Sequence, residues 1–326
     1  MSSFVQEVKN KFDAAKENEQ LFSFDSTTVE KESNGMNFKI TLVPALAQKK
    51  SNQKVEEDGK KCNPFENPEP ALVVKELDEH RILLNKYAVI PNHLIIATKE
   101  FKKQSEPLMP NDLYESFKVL KDFGSSQPAL AFYNCGEESG ASQGHKHMQV
   151  LPLQHESNPQ PPVKKLFDEI HDRHVGQIYA INKLPFVHVI LPLDNNIIRN
   201  ANTREELTDY LVQMFFGILD AMFQQLRENA QPLNTSYNFL MTQDFMMLVP
   251  RSNEKASIEH NGKTFEFSVN SLGFAGLLLC KTEEELEVLK AQDNLMDILT
   301  QVGIPWDPKA SDIEAARELA ADAELA

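Results

Sequence analysis

The sequence predicts an α+β fold, and three observations carry that reading. Residues 129–153 read as two strands joined by a loop rich in glycine and serine. Apolar stripes at helical spacing flank this unit, with Leu113, Phe117, Leu120 and Phe123 before it and a longer stripe from Leu207 to Phe223 after it. Strands and helices do not alternate as regular crossovers, and no Gly-x-Gly-x-x-Gly fingerprint is present, which argues against a doubly wound nucleotide-binding sheet.

Taken in chain order, Phe4, Val5, Val8, Phe12 and Ala15 repeat at the spacing of an amphipathic helix. The segment from Phe38 to Val43 alternates as a strand and stops at Pro44. From Gln48 to Pro70 the chain turns polar, and the region near 48–70 reads as an insert, either a solvated connector or a segment that closes over a ligand. Leu83 to Thr98 gives two short strands around Pro91-Asn92, with His93 at the start of the second in a packing role. Asn111 is expected to cap the next helix. After the strand–loop–strand unit, Pro159 to Pro162 interrupts the pattern, and Leu166 to Ile170 forms a short helix.

Phe186 to Leu193 echoes His147 to Leu153, which points to two fused related halves. The stripe from Leu207 to Phe223 is a core helix. Two strands follow between Tyr237 and Pro250, turning at Gln243-Asp244, and Arg251 after them either neutralises a phosphate or, the favoured reading, caps a turn. Phe265 to Asn270 alternates as a further strand. Thr282 with Glu285 opens a helix running to about Thr300, and Ser311 with Glu314 repeats that signature for a last helix. The expected organisation is an N-terminal catalytic region, 1–195, and a C-terminal α+β region, 196–326, that completes the site.

Composition narrows the function. A net charge of −15 excludes a basic nucleic-acid-binding face as the main surface. No run of about 18 apolar residues is present to span a membrane, and the N-terminus lacks the apolar core of a signal peptide. Cys62, Cys135 and Cys280 are isolated, as expected of a reducing compartment. The expected location is therefore cytoplasmic.

The most informative residues are His145, His147 and Gln149. Alternation along a strand points all three to one face and sends Lys146 to the other. Imidazole serves as nucleophile, base or metal ligand near neutral pH, and a nucleophilic ring needs one nitrogen pinned by a hydrogen bond. Gln149 can donate to an oxyanion without exchanging a proton. The loop before these residues offers backbone N–H groups and the hydroxyls of Ser139 and Ser142. A nucleophile beside oxyanion donors points to phosphoryl or nucleotidyl transfer. His-x-His is also a zinc half-site, but no second His/Cys pair with ligand spacing accompanies it. A solvated polar edge strand is the third reading.

At Asn-x-Gly-x-x-Ser-Gly-x-Ser, residues 134–142, followed by His-x-His-x-Gln at 145–149, the chain resembles the transferase branch of the histidine-triad superfamily. Within it, the chain is similar to the fungal-type diadenosine tetraphosphate phosphorylases, or ATP adenylyltransferases. Leu83 to His93 and Asn270 to Gly276 are further matching stretches, and the likeness spans about Pro44 to Lys281. The resemblance implies a histidine-triad-like antiparallel sheet with packed helices. It implies His147 as nucleophile, with Gln149 and His145 beside it in the catalytic motif. It places Asn134, Gly140, Ala141, Ser142 and Gln143 at the phosphates, and Lys49 (beside Lys50), Asn85 and Lys86 against substrate. Asn270, Ser271, Leu272, Leu277 and Lys281 complete the pocket. The family usually has Thr where this chain has Leu272, and commonly Met where it has Leu277.

The implied activity is phosphorolysis of diadenosine tetraphosphate by inorganic phosphate to ATP and ADP, through a covalent adenylyl-histidine, with the reverse synthesis open. A divalent cation, Mg2+ or similar, is expected with the polyphosphate, and no organic cofactor or protein-held metal. The expected state is a monomer, present in the cytoplasm and the nucleus, with no nucleic-acid or membrane partner. The alternatives are a hexose-1-phosphate nucleotidylyltransferase and a non-catalytic dinucleotide sensor.

Overall fold

The structure, a computed structural model, describes residues 3–51, 63–124, 127–153, 160–228, 231 and 236–306. Its centre is an eight-stranded antiparallel sheet that runs from one end of the chain's organisation to the other. The order is Val189–Pro192, Phe245–Pro250, Tyr237–Met241, Ala129–Cys135, His147–Pro152, Leu94–Thr98, His80–Leu84 and Val73–Glu76. The sheet crosses the expected boundary at 195/196 without a break. Tyr237–Met241 pairs with Ala129–Cys135, and Asn238 sits directly opposite Asn134.

Both faces of this sheet are buried, so its central strands are apolar almost throughout instead of alternating. Ala129, Ala131, Tyr133 and Cys135 face one core, where Ser3–Glu17, Pro110–Phe123 and Arg204–Glu228 lay their apolar stripes. All five stripe residues of the N-terminal helix are buried there. Leu130 and Phe132 face a second core, closed by a three-stranded sheet and the C-terminal helices. That small sheet joins the chain's two ends, because Leu277–Cys280 pairs in parallel with Met36–Leu42, which pairs antiparallel with Thr27–Ser33. Among the described residues no helix is long and apolar enough to cross a membrane.

Three local expectations are corrected. The helix Pro110–Phe123 starts before Asn111, and the carboxylate of Asp112 accepts the Met109 N–H at 2.8 Å in the capping role. Asn111 instead donates to Glu79. The helix expected to reach Thr300 is two, Glu283–Ala291 and Met296–Val302. Asn294 Oδ1 accepts the Met296 N–H at 3.0 Å, a local bond that competes with helix continuation. The helix expected from Ser311 lies outside the described residues.

Arg251 is the third. It does not cap an exposed turn: among the described residues it is the bulkiest side chain buried to within 2% of completely. Its Nε donates to Val302 O at 3.0 Å, and Nη1 donates to Val269 O at 2.8 Å and to Asn238 Oδ1 at 2.5 Å. Nη2 donates to Asn253 O at 2.7 Å and Glu254 O at 3.2 Å. One guanidinium thus ties the end of Phe245–Pro250 to two loops, to the end of the helix Met296–Val302 and to Asn238 on the central sheet. Replacing Arg251 by Met strands those acceptors without donors, and the midpoint of urea unfolding should drop by an amount equivalent to roughly 3 kcal/mol. A change under about 1 kcal/mol would show the loops to be held by other contacts.

Candidate active site

His147 opens the strand His147–Pro152, and its backbone N–H donates to Gln104 Oε1 at 2.8 Å. Its Nδ1 lies 2.9 Å from His145 O. A carbonyl only accepts, so Nδ1 carries the proton and Nε2 keeps its lone pair. The ring is 3% exposed, and burial pushes its pKa down to about 4. The arrangement is a neutral imidazole with one nitrogen pinned by the main chain two residues back, and the other available as a nucleophile.

His145 differs in both nitrogens. Asn63 Nδ2 lies 2.9 Å from Nδ1, while Thr98 Oγ1 at 3.0 Å and Glu100 O at 3.2 Å surround Nε2. The Thr98 hydroxyl already donates to Glu100 O, so the His145 Nε2–H is the donor to this pair. With both nitrogens occupied, His145 serves through its carbonyl. Lys146 points to the opposite face, as alternation requires, and is fully buried. Its ammonium is 2.5 Å from Asp112 Oδ2 and 2.7 Å from Pro107 O, and His80 Nε2 is 2.7 Å from Asp112 Oδ1. Burial alone would raise the Asp112 pKa, but hydrogen bonding to His80 and the charge of Lys146 outweigh it and hold the carboxyl low. This buried cluster anchors the motif strand from behind.

Asn134 ends the neighbouring strand beneath the loop. Its Oδ1 accepts from Asn238 Nδ2 at 2.8 Å, Ser271 N at 2.9 Å and Ser271 Oγ at 2.7 Å. Three donors on one oxygen fix the amide's orientation, leaving its NH2 as the end directed away from this network. Gly140 adopts φ +77°, and a Cβ there would stand 2.5 Å from Val269 O. The motif loop therefore presses directly against 269–271, which brings the Asn134, Gly140 and Asn270-Ser271 segments together. Asn270 Oδ1 in turn accepts the Leu272 N–H at 2.9 Å. Leu272 and Leu277, the two departures from the family pattern, are half-buried and pack on the second core.

The remaining expected residues are more dispersed. Ala141, Ser142, Gln143 and His145 line a cleft of about 530 Å³ with Asn63, Lys103 and Gln104. Gln149 is half-buried two residues beyond His147. Asn85 spends its amide on the Tyr87 N–H and on His93, and Lys86 Nζ is held 2.5 Å from Glu69. Lys281 is exposed, with its backbone N–H on Glu285. The Lys49 side chain lies outside the described part of the structure. Among the described residues no group of three or more His, Cys, Asp or Glu is placed to hold a metal ion.

Three residues escaped the sequence reading. Gln104 Nε2 donates to Asn134 O at 2.8 Å and His147 O at 3.2 Å, so one amide clips both strand ends. Asn63 holds His145, and Phe65 packs its ring 4.9 Å from that of His147. Gln104 sits in an unpatterned polar loop, and its role exists only once the strands are paired.

The Ap4A phosphorylase N-terminal domain matches residues 1–169, and the ATP adenylyltransferase C-terminal domain matches 182–305. The chain belongs to the Ap4A phosphorylase family. It is 32% identical to diadenosine 5',5'''-P1,P4-tetraphosphate phosphorylase 2 of Saccharomyces cerevisiae, over 92% of this chain and 94% of that one. It is 29% identical to Protein APA1 of the same yeast, over 91% and 93% of the two chains. The crystal structure of yeast Ap4A phosphorylase Apa2 superposes with a TM-score of 0.76 at 29% identity, covering 94% of this chain and 96% of that chain. The same yeast protein in complex with Ap4A gives 0.74, covering 94% and 98%. The fold is thus the histidine-triad-like α+β fold that the motifs implied.

Burial pushes His93, His147 and His188 each down to about 4 from 6.5. Unfolding exposes them to ordinary water, so between about pH 6.5 and 4 the unfolded chain binds more protons than the folded one. Stability contributed by these three rings is complete above that window and is lost as pH falls through it. The urea midpoint of this family member should therefore decline steeply from pH 7 to 5. A flat profile would mean that the rings are not held neutral.

Proposed function

We propose that this phosphorylase-family chain splits diadenosine tetraphosphate with inorganic phosphate, giving ATP and ADP by adenylyl transfer through His147. The observation that carries the reading is the pinned tautomer: a buried, neutral ring with Nδ1–H on the His145 carbonyl and, among the described residues, no hydrogen bond at Nε2. His147 Nε2 attacks the α-phosphorus at one end, and the bond to the bridging oxygen breaks with its electrons leaving on ATP. Phosphate oxygen then attacks the adenylyl phosphorus, the P–N bond breaks, and the lone pair returns to Nε2 as ADP departs. Two in-line displacements predict net retention at phosphorus.

Loop N–H groups, Asn134, Ser142 and the Gln149 amide would stabilise charge on the equatorial oxygens. The divalent cation in this reading travels with the polyphosphate as part of the substrate. We further propose a monomer that resides in the cytoplasm and nucleus. A hexose-1-phosphate transferase would share the chemistry but need a sugar site, and no feature of the cleft favours one.

The test is incubation with diadenosine tetraphosphate, Mg2+ and phosphate, followed by chromatography. Equal ATP and ADP, formed only with phosphate, is the expected result; turnover without phosphate would overturn it. His147→Ala should abolish both turnover and covalent labelling by α-labelled substrate, and retained labelling would exclude it as nucleophile. Gln149→His should shift products toward hydrolysis, seen as AMP in place of ADP, and an unchanged ratio would remove Gln149 from acceptor choice.

A further inference from the structure

We propose that His93 is a positioning residue for Gln149, deciding which end of its amide meets the phosphoryl group. His93 is 8% exposed, and its Nε2 is buried with no hydrogen-bond partner among the described residues. Buried polar atoms are nearly always paired, so one that is not requires a reason.

The other nitrogen settles the ring's state. Asn85 Oδ1 accepts the Tyr87 N–H at 3.0 Å, which turns the Asn85 NH2 toward His93 Nδ1, 3.1 Å away. Nδ1 is therefore an acceptor, and in the neutral ring the proton sits on Nε2. Burial keeps the ring neutral by holding its pKa at about 4. The position is fixed as well, because Asn85 N donates to His93 O at 2.9 Å. With Nδ1 taken by Asn85, the side chain placed to hydrogen-bond the remaining nitrogen is Gln149, short of a formed bond at Nε2, and His147 and the Phe132 ring, 6.1 Å away, are further neighbours. The strand His93 leads into, Leu94–Thr98, pairs with the motif strand and sets Ile95 opposite Gln149.

An N–H aimed at Gln149 can be met only by its Oε1. With Oε1 drawn to His93, the NH2 faces the reacting group and offers donors to a phosphoryl oxygen. Flipped, the same amide would present lone pairs to that oxygen and repel it. Glutamine alone cannot choose, since the two ends are nearly the same shape. The choice is made by a chain of donors running one way, from Tyr87 N–H through Asn85 and His93 to Gln149 and then to phosphate. Asn85, expected to touch substrate, acts here two links behind it.

The proposal rests on Gln149 donating to the phosphoryl group, and a double-mutant cycle separates the two claims. His93→Phe should lower kcat roughly tenfold with KM within about twofold, the pattern of an interaction made in the transition state. Gln149→Leu should lower kcat at least as much, and His93→Phe should then cost nothing more in the Gln149→Leu background. His93→Gln, whose amide nitrogen reaches the place of Nε2, should recover most of the loss. Losses that multiply in the double variant would overturn the proposal, because His93 would then act independently of Gln149. An unaffected Gln149→Leu enzyme would instead overturn the role of Gln149 itself. A measurement on the unaltered protein stands beside these: 15N NMR of histidine-labelled enzyme should find His93 protonated at Nε2, and a proton on Nδ1 would sink the idea even if every variant misfolded.

Discussion

Arg251 holds its charge in one of the least accessible places in the molecule, and the site is assembled around the order it imposes. Its guanidinium bonds reach Val269, just before Asn270 and Ser271, and Asn238, whose amide orients Asn134. Burial pulls its pKa down to about 9, so the charge persists at neutral pH and must be satisfied by carbonyl dipoles. Five donors in a rigid fork can serve several loops at once, which a lysine could not do. The two family domains therefore meet through a bonded core and not through a loose interface. Asn134 belongs to one and Ser271 to the other, and Asn134 Oδ1 accepts from the Ser271 N–H and hydroxyl.

The fused-halves signal in the sequence has a counterpart at the level of single atoms. His188 Nδ1 lies 2.7 Å from Phe186 O, the same two-residue pin that His147 makes with His145 O. Both rings are buried and pushed down to about 4. The difference is at the second nitrogen, where His188 Nε2 accepts the Ile181 N–H at 2.7 Å. That one backbone donor turns a nucleophile's geometry into a packing residue. It also explains why an isolated histidine in an apolar strand says little until its second partner is known.

Local patterns were legible to the degree that local chemistry decides them. The helical stripes, the hairpin from Tyr237 to Pro250 and the motif strand's alternation follow from side-chain periodicity, and each element forms where its pattern lies. Asn294 broke the expected long helix because a short side-chain bond outcompeted propensity. Arg251 and Gln104 were opaque for a different reason. Apart from Asn253 and Glu254 beside Arg251, their partners come from segments far away in sequence, and no spacing rule encodes such a meeting. His93 is intermediate: its strand was readable, but the tautomer depends on how Asn85 is turned, which only the Tyr87 N–H reveals.

The chain's charge of −15 sharpens what kind of site this can be. A cationic ring at 147 would attract polyphosphate but have no lone pair to attack with, so burial gives up attraction and keeps the lone pair that the proposed mechanism uses. Lys103 lines the cleft, and the other donors around it are neutral amides, a hydroxyl and backbone N–H groups, which act at short range where charge accumulates. Phosphorolysis suits them. The leaving group departs as a stable polyphosphate anion and needs no acid, while inorganic phosphate arrives already ionised and needs no base. Water would need a base to become a competent acceptor, and Gln149 offers none. In the proposed reading an amide at 149 is enough for phosphate, provided its NH2 and not its carbonyl is turned inward.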